Sequence, residues 1–549
     1  MARQSKNTDQ SLGETRDSWV PMIVIAMGQA LMSFNVAAIP VSMSGMVESF
    51  QTPPTTVATA IVLYSLGVSG FIMLGAKLGQ RFGSKKFFQA AVALFLLAEV
   101  TMVASPTAEI MLAAQAMAGL AGAALVPTLV VLIANHYRGK QQAEAVGWLG
   151  SARAIAGVLA FIIVGSVATW FSWRYAFGLL IIHAAVILLL SVKLKPSVGK
   201  PEVGIDLFGV LLSAVAIICI TFGFNNIRSW GVLLAQPAAP FDLLGISPAP
   251  VMIVVGIFIG TAFLAWTHRR AAGGRTPLLA LDVVDSPTEW VAVVALFLVV
   301  ATEGAINFSV PLYIQIVQGS TALQTSIAMM PFMLTVFFTA ILIVRLYKLV
   351  TPRVIARWAF VLVAAGTAWL AFVVRNDWTA PAVIAGLITV GLGQGALVTL
   401  LFNVLVTSAP KELAGDVGSL RGVTQNLAAA VGTAVIGALL VGILTSIIVD
   451  RVADNPVISA ELKDDVNLNN LNFFSDAQLK DRLAGTRASE AQMTEALRIN
   501  GDARTRALKI GFMILSGMAL MAIFPCGWLP NYKPGEIPSD AETSRRAKR

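Results

Sequence analysis

The amino-acid sequence predicts an all-α membrane protein that crosses the bilayer about fourteen times. Hydrophobic residues make up 56% of the 549 positions and charged residues only 13%, whereas charged residues are about 25% of a soluble domain. Apolar runs of about 20 residues recur along the whole chain, which favours spanning helices over barrel strands. The predicted spans are 19–41, 55–76, 87–105, 108–134, 144–168, 173–193, 205–225, 250–267, 289–317, 322–347, 354–374, 380–403, 420–449 and 508–530.

Basic residues concentrate in every second loop between these spans. Apart from the long segment 451–507, the intervening loops hold at most one basic residue each, at Arg174, Arg228 or Arg375. The positive-inside rule places the basic loops and both termini in the cytoplasm, so the net charge of +9 needs no nucleic-acid partner. The basic groups are Lys77 to Lys86, Arg138 with Lys140, Lys193 with Lys195 and Lys200, Arg269 with Arg270 and Arg275, Arg345 with Lys348 and Arg353, and Lys411.

A weak internal repeat predicts two halves of six helices each. The polar turn Gly75 to Lys86 has a counterpart in Ile343 to Arg353, at the equivalent position of a second six-helix half, with two helices inserted between the halves. The predicted units are a tail 1–18, a first half 19–195, an inserted pair with linkers 196–275, a second half 276–530 and a tail 531–549.

The segment 451–507 before the last span is long and should be external. Ser475 to Gln478 and Ser489 to Gln492 both have the spacing of a helix capping box, and Gly485 and Gly501 are candidate helix stops. We predict a small external helical hairpin. The alternative is a solvated loop with local helicity and no role.

The polar turn carries glycines and basic residues at regular spacing, which are Gly75, Gly79 and Gly83 with Lys77, Arg81, Lys85 and Lys86. This spacing resembles the loop between helices 2 and 3 of the major facilitator superfamily. At one position the chain departs from that pattern, because Gly79 stands where the family has an acidic residue. The resemblance implies two six-helix halves around a substrate cavity near the bilayer midplane, and a role for this turn in conformational change. Glu144 is a candidate substitute for the missing acid.

Further motifs, in order, resemble the fourteen-helix drug:proton antiporter branch of that superfamily. This resemblance implies proton-coupled export of amphiphilic or cationic compounds. The matching segments are Ala116 to Pro127, Trp173 to Phe177, Asp206 to Gly231, Pro277 to Leu279, Pro311 to Gln315 with Gly319 and Pro331, Gly391 to Gly395, and Gln425 to Gly432.

Three positions depart from the branch. Its Gly-Pro pair in helix 5 is Ala160-Phe161 here, its arginine in helix 4 is Gln115, and its acid in helix 1 falls near Leu31. These departures leave open a lipid or organic-acid carrier, uniporter or symporter, without antiport coupling.

Few ionisable residues fall inside the predicted spans, where a charge is costly and marks a cavity or a partner. Glu303 lies near the middle of the ninth span and is the candidate proton-coupling carboxyl, because burial favours the protonated form. Arg153 lies inside the fifth span; it is a candidate gate that pairs with Glu303, or a site for an anionic group. Glu99 is better explained as a protonated or snorkelling carboxyl than as a site. His183 is better explained as a hydrogen-bonded core residue than as a ligand.

Neutral polar and aromatic side chains within the spans are candidates for the wall of the substrate cavity, with helix packing as the alternative. They are Ser33, Phe34, Asn35, Phe161, Asn307, Gln394, Asn403, Gln425 and Asn426, with Trp148 and Phe308 as further aromatic groups.

The sequence gives no sign of an enzyme, a metal site or a cofactor. It contains no ATP-binding loop of the Gly-x-x-x-x-Gly-Lys-Ser/Thr type, and Cys219 and Cys526 both fall in apolar runs. We expect a monomer in a bacterial cytoplasmic membrane whose partners are lipids, protons and a small amphiphilic or lipid-like substrate. A non-transporting scaffold or sensor that binds through the external hairpin is the alternative from a different class.

Overall fold

The computed structural model describes residues 18–137, 139–237, 239–281, 287–346, 349–375, 380–408, 414–453, 455–458, 476–484 and 488–531. These residues form sixteen α-helices, numbered here in chain order. They are α1 Val20–Val41, α2 Met43–Phe50, α3 Pro54–Phe82, α4 Ser84–Ala104, α5 Ala108–His136, α6 Gly139–Trp170, α7 Trp173–Ser191, α8 Leu207–Trp230, α9 Pro248–Ala272, α10 Pro287–Leu312, α11 Ala322–Leu346, α12 Pro352–Val373, α13 Pro381–Ser408, α14 Ala414–Ala453, α15 Asp476–Ala484 and α16 Glu490–Ala522.

The predicted fold class is confirmed. Within the described residues, thirteen helices are long and apolar enough to cross a membrane, and the segment Ile155–Trp170 of α6 adds a shorter apolar helix. Every predicted span corresponds to one of these helices. Several helices extend beyond the prediction at the ends where polar residues follow, because intrahelical hydrogen bonds satisfy the backbone there regardless of side-chain polarity.

The polar turn is much shorter than predicted. Helix α3 continues to Phe82 and α4 begins at Ser84, so only Gly83 separates them, with a φ of 89°. A side chain at that left-handed φ would be strained, which explains the glycine. We call this end of the helix bundle the turn end and the opposite end the far end.

Two groups of helices form the halves: α1 and α3–α7, and α10–α14 with α16. The halves meet along two seams, α3 against α14 and α6 against α11. Glycines allow close approach where helices pack. In the second half a Cβ at Gly432 would overlap the Ala301 backbone of α10, and across the first seam a Cβ at Gly422 would overlap Ile72 of α3.

The inserted pair α8–α9 packs on the first seam. Asp206 caps α8 through the Gly209 N–H at 3.0 Å and also accepts from Trp266 Nε1 of α9, and it lies 3.5 Å from Arg270 Nε. Helix α8 packs against both α3 and α14, where Phe224 lies in an apolar cluster with buried residues of both helices. The pair therefore covers the line where the two halves meet.

The predicted hairpin at the far end is corrected by the structure. The capping box of Ser489 and Gln492 is present, but the helix it starts continues through Gly501 to Ala522. Gly501 is therefore not a helix stop. The second hairpin helix and the last membrane span are one helix, α16, and α15 packs against its N-terminal part through an ion pair of Asp476 with Arg504. Ser475 and Gly485 lie outside the described residues.

Candidate functional site

Glu303 lies on α10 beside a buried glutamine of α13. Gln394 donates from Nε2 to the Val299 carbonyl at 2.8 Å and to Glu303 Oε2 at 3.3 Å, and it is completely buried. Gly304 gives α10 its close approach to α14, since a Cβ there would lie 2.9 Å from the Ala429 carbonyl oxygen. The carboxyl group is thus held by the second half and is itself only partly buried.

Arg153 of α6 reaches across from the first half. Its Nη1 donates to Gln425 Oε1 of α14 at 3.2 Å, and the Arg153 side chain is exposed although it lies within the span predicted from the sequence. Arg153 also lies within electrostatic range of Glu303. This arginine therefore links the halves through one hydrogen bond and one longer-range attraction.

Sequence reasoning missed a second arginine at this place. Arg421 lies one turn from Gln425 on α14, its guanidinium stacks 3.7 Å from the centroid of the Phe402 ring, and it is within electrostatic range of Arg153. The predicted span 420–449 placed Arg421 at a helix end, but α14 begins at Ala414. The spacing of Arg421 and Gln425, on one face of a helix, was the available signal.

We call Arg153, Glu303, Gln394, Arg421 and Gln425 the central polar cluster. The structure does not show Glu303 and Arg153 as a close ion pair. Among the described residues no ion pair within 4.0 Å joins them, and the contact that Arg153 makes is with Gln425. Their interaction is a longer-range attraction, which remains compatible with a gate.

The other predicted wall residues differ in their surroundings. Asn307, one turn beyond Glu303, has a buried Oδ1 with no donor among the described residues, and Asn426 donates to the Gly422 carbonyl of its own helix. Asn35 forms two reciprocal hydrogen bonds with Gln115 inside the first half. Ser33 donates to the Gln29 carbonyl, and Asn403 also has an interaction partner. Phe161 lies in the main hydrophobic core, and the partly buried Phe34 packs against that core.

Glu99 and His183 lie in the first half. The Glu99 side chain is completely buried and neither of its carboxyl oxygens has a hydrogen-bond partner among the described residues, so it does not snorkel. His183 interacts through Nε2 with the Met27 carbonyl at 3.0 Å, as expected of a core histidine. Tyr64 of α3 lies within electrostatic range of both Glu99 and Arg153.

The halves are joined by hydrogen bonds at the far end. Helix α1 breaks after Val41, and the Gln315 amide of the π-helical turn Tyr313–Val317 fills the break: Nε2 donates to the Pro40 carbonyl and Oε1 accepts from the Ser44 N–H, both at 2.8 Å. On the second seam the Leu323 N–H donates to Thr169 Oγ1 at 2.8 Å. These contacts close the far end on two sides.

At the turn end, hydrogen bonds link the start of α4 to the segment that follows α7. Lys85 Nζ donates to the carbonyls of Val192 and Leu194 at 2.7 Å each, and Ser84 donates to Ser197. Gly75 and Gly79 pack against α5 and α4, and the Arg81 carbonyl contacts the backbone near Gly199. Lys77 is within electrostatic range of Asp416 of α14, whereas the Glu144 side chain lies outside the described residues.

Two bundles that meet around partly exposed charges, inside a chain of this hydropathy, define a multi-pass membrane transporter rather than an enzyme. The chain belongs to the Major Facilitator Superfamily, whose family model matches residues 25–433.

The relatives and structural neighbours agree with this family. The chain is 23% identical over 424 residues to the multidrug efflux pump LfrA of Mycolicibacterium smegmatis, covering 77% of this chain and 81% of that protein. It is 21% identical over 447 residues to the multidrug resistance protein Stp of Mycobacterium tuberculosis, covering 80% of each. A bacterial homologue of the lysosomal transporter Spinster, in an inward-facing and unoccupied conformation, has the same fold with a TM-score of 0.60 at 12% identity, covering 92% of this chain and 96% of that one.

Proposed function

We propose that this protein exports amphiphilic or cationic small molecules across a bacterial cytoplasmic membrane by alternating access, coupled to protons, with both termini cytoplasmic. The observation that carries the proposal is the position of Glu303, a partly buried carboxyl of the second half within electrostatic range of an exposed arginine of the first half. The efflux-pump names of the relatives support export.

The contacts between the halves support a state that opens toward the turn end. Gln315 and Thr169 join the halves at the far end, while Arg153 between the halves is exposed. If the turn end is cytoplasmic, as the positive-inside rule indicates, this state admits substrate from the cytoplasm. Export then requires the far end to open and the turn end to close.

Protonation of Glu303 supplies a physical route to coupling. Two opposite charges about 8 Å apart attract by on the order of 2 kcal/mol at an effective dielectric constant near 20, which changes a two-state equilibrium by a factor of roughly thirty. A proton or a cationic group on Glu303 removes its attraction for Arg153, so either ligand biases the same equilibrium. Because proton and cation compete for one carboxyl, exchange follows.

The test is dye transport in proteoliposomes with and without an imposed pH gradient, for the native protein, Glu303→Gln and Glu99→Gln. We expect the gradient-driven rate to fall at least tenfold in Glu303→Gln and to stay within twofold of native in Glu99→Gln, because the Glu99 carboxyl is sealed inside the first half. Loss of gradient dependence in Glu99→Gln alone would contradict the role of Glu303.

A second candidate is an organic-acid or lipid carrier without antiport coupling, and the nearness of Arg153 and Arg421 favours it. In that case native protein and Glu303→Gln both transport independently of the pH gradient. Both proteins would then still bind acids, although transport would not be coupled to protons.

A further inference from the structure

The arginine side of the central polar cluster contains two buried hydrogen-bond donors that lack acceptors among the described residues. Arg421 Nε and Gln425 Nε2 are buried and have no partner among the described residues, and the Gln425 side chain is 8% exposed. The one acceptor of Gln425, Oε1, already receives the hydrogen bond from Arg153. A buried donor without a partner is costly, so this arrangement favours a ligand that accepts hydrogen bonds.

The positive charges of the two arginines also favour a ligand that accepts hydrogen bonds. Arg153 and Arg421 are within electrostatic range of each other, and neither has a carboxylate within 4.0 Å among the described residues. Two cations held close together in a membrane protein are unfavourable unless an anion or water balances them. A guanidinium group also matches a carboxylate, phosphate or sulfonate through paired hydrogen bonds.

The α10–α13 side of the cluster has the opposite character. Its groups are the Glu303 carboxyl, Asn307 Oδ1 and Gln394 Oε1, and the two amide oxygens are buried without a donor among the described residues. Packing of Gly304 against Ala429 sets Glu303 at about the level of residues 429–433 of α14. With a rise of 1.5 Å per residue, Gln425 then lies roughly 10 Å nearer the turn end than Glu303.

We propose that Arg421, Gln425 and Arg153 form a subsite for the acidic group of an amphiphilic substrate, whose cationic group, where it has one, lies toward Glu303. This inference rests on the proposed function, since it takes the central polar cluster to be the substrate site. It deepens that proposal by naming the substrate class: amphiphiles with an acid, preferably zwitterions with charges roughly 10 Å apart.

The test is equilibrium binding to purified protein in detergent micelles, followed by fluorescence anisotropy, with tetramethylrhodamine as the free acid and as its methyl ester. The two dyes share a cationic ring system and differ at one group, which is an anionic carboxylate in the acid and a neutral methyl ester in the ester. The variants are Arg421→Gln and Arg153→Gln. The matched control is Arg269→Gln, which removes an exposed arginine of α9 outside the cluster.

We expect the native protein to bind the acid at least tenfold more tightly than the ester. In Arg421→Gln and in Arg153→Gln that preference should fall to within twofold while binding of the ester stays unchanged, and Arg269→Gln should resemble native. The proposal is overturned if native protein shows no preference for the acid, or if Arg421→Gln weakens both dyes equally. Since no proton gradient is present, a preference for the acid that depends on Arg421 stands even if the proton-coupling test fails.

Discussion

The two seams between the halves differ in what covers them. Helix α8 packs on the seam of α3 with α14, whereas the described residues place no comparable helix on the seam of α6 with α11. The uncovered seam is closed at the far end by Thr169 and by Gly165, whereas Arg153 of the same helix α6 reaches Gln425 of α14. The difference teaches that the inserted pair stabilises one seam and leaves the other free to open.

The largest effect should come from overfilling the uncovered seam. A Cβ at Gly165 would overlap the Ser326 hydroxyl and lie 3.1 Å from the Ala322 carbonyl oxygen. Gly165→Leu should therefore prevent closure of the far end and lower transport in proteoliposomes at least tenfold. Gly157→Leu is the control on the same helix, because nothing lies within 4 Å of a Cβ there. Equal loss in both variants would show that helix α6 tolerates no bulk, independently of the seam.

A smaller effect is expected from removing the amide that fills the break of α1. Gln315→Leu deletes the two hydrogen bonds that join the halves at the closed far end of this structure, and each lost partner of a buried polar group costs about 1–3 kcal/mol. The closed far end should become less populated, so labelling of a cysteine placed at Ser44 should speed up several-fold. Gln318→Leu is the control, since Gln318 Nε2 has no partner among the described residues. An unchanged labelling rate would show that Gln315 does not stabilise the closed far end.

The smallest effect on transport is expected from an engineered disulfide that links α8 to α3. A Cβ at Gly70 would lie 4.0 Å from Ala214 Cβ, within the usual range of a disulfide. In a background of Cys219→Ala and Cys526→Ala, the pair Gly70→Cys with Ala214→Cys should crosslink, and transport should stay within twofold of the reduced protein. Loss of transport on oxidation would mean that the inserted pair moves with α14 and the second half.

The fold was predictable because bilayer thickness sets the length of each apolar run and charge sets its direction. The sequence also singled out Glu303, Gln394, Arg153 and Gln425, which the structure brings into one cluster. It missed Arg421, because a hydropathy boundary at residue 420 hides a helix that begins at Ala414.

Contacts between helices were not predictable. Gln315 was part of a family motif, but its bonds to Pro40 and Ser44 depend on a break in α1 that follows Val41. Asn35 was a candidate for the cavity wall, and only the three-dimensional arrangement reveals its reciprocal bonds with Gln115. Periodicity reports which residues share a helix face and carries no information about which helix that face meets.

The length of α16 gives the second half a rigid lever. Its first part, residues 490–507, rises about 27 Å at 1.5 Å per residue and is continuous with the span that packs on α12 and α14. A rotation of the second half by about 10° would move the tip by on the order of 5 Å, because displacement grows with distance from the pivot. An antibody fragment that grips α15 and this tip would therefore report the tilt of one half directly, and would add a rigid marker for imaging a protein that otherwise lies within the bilayer.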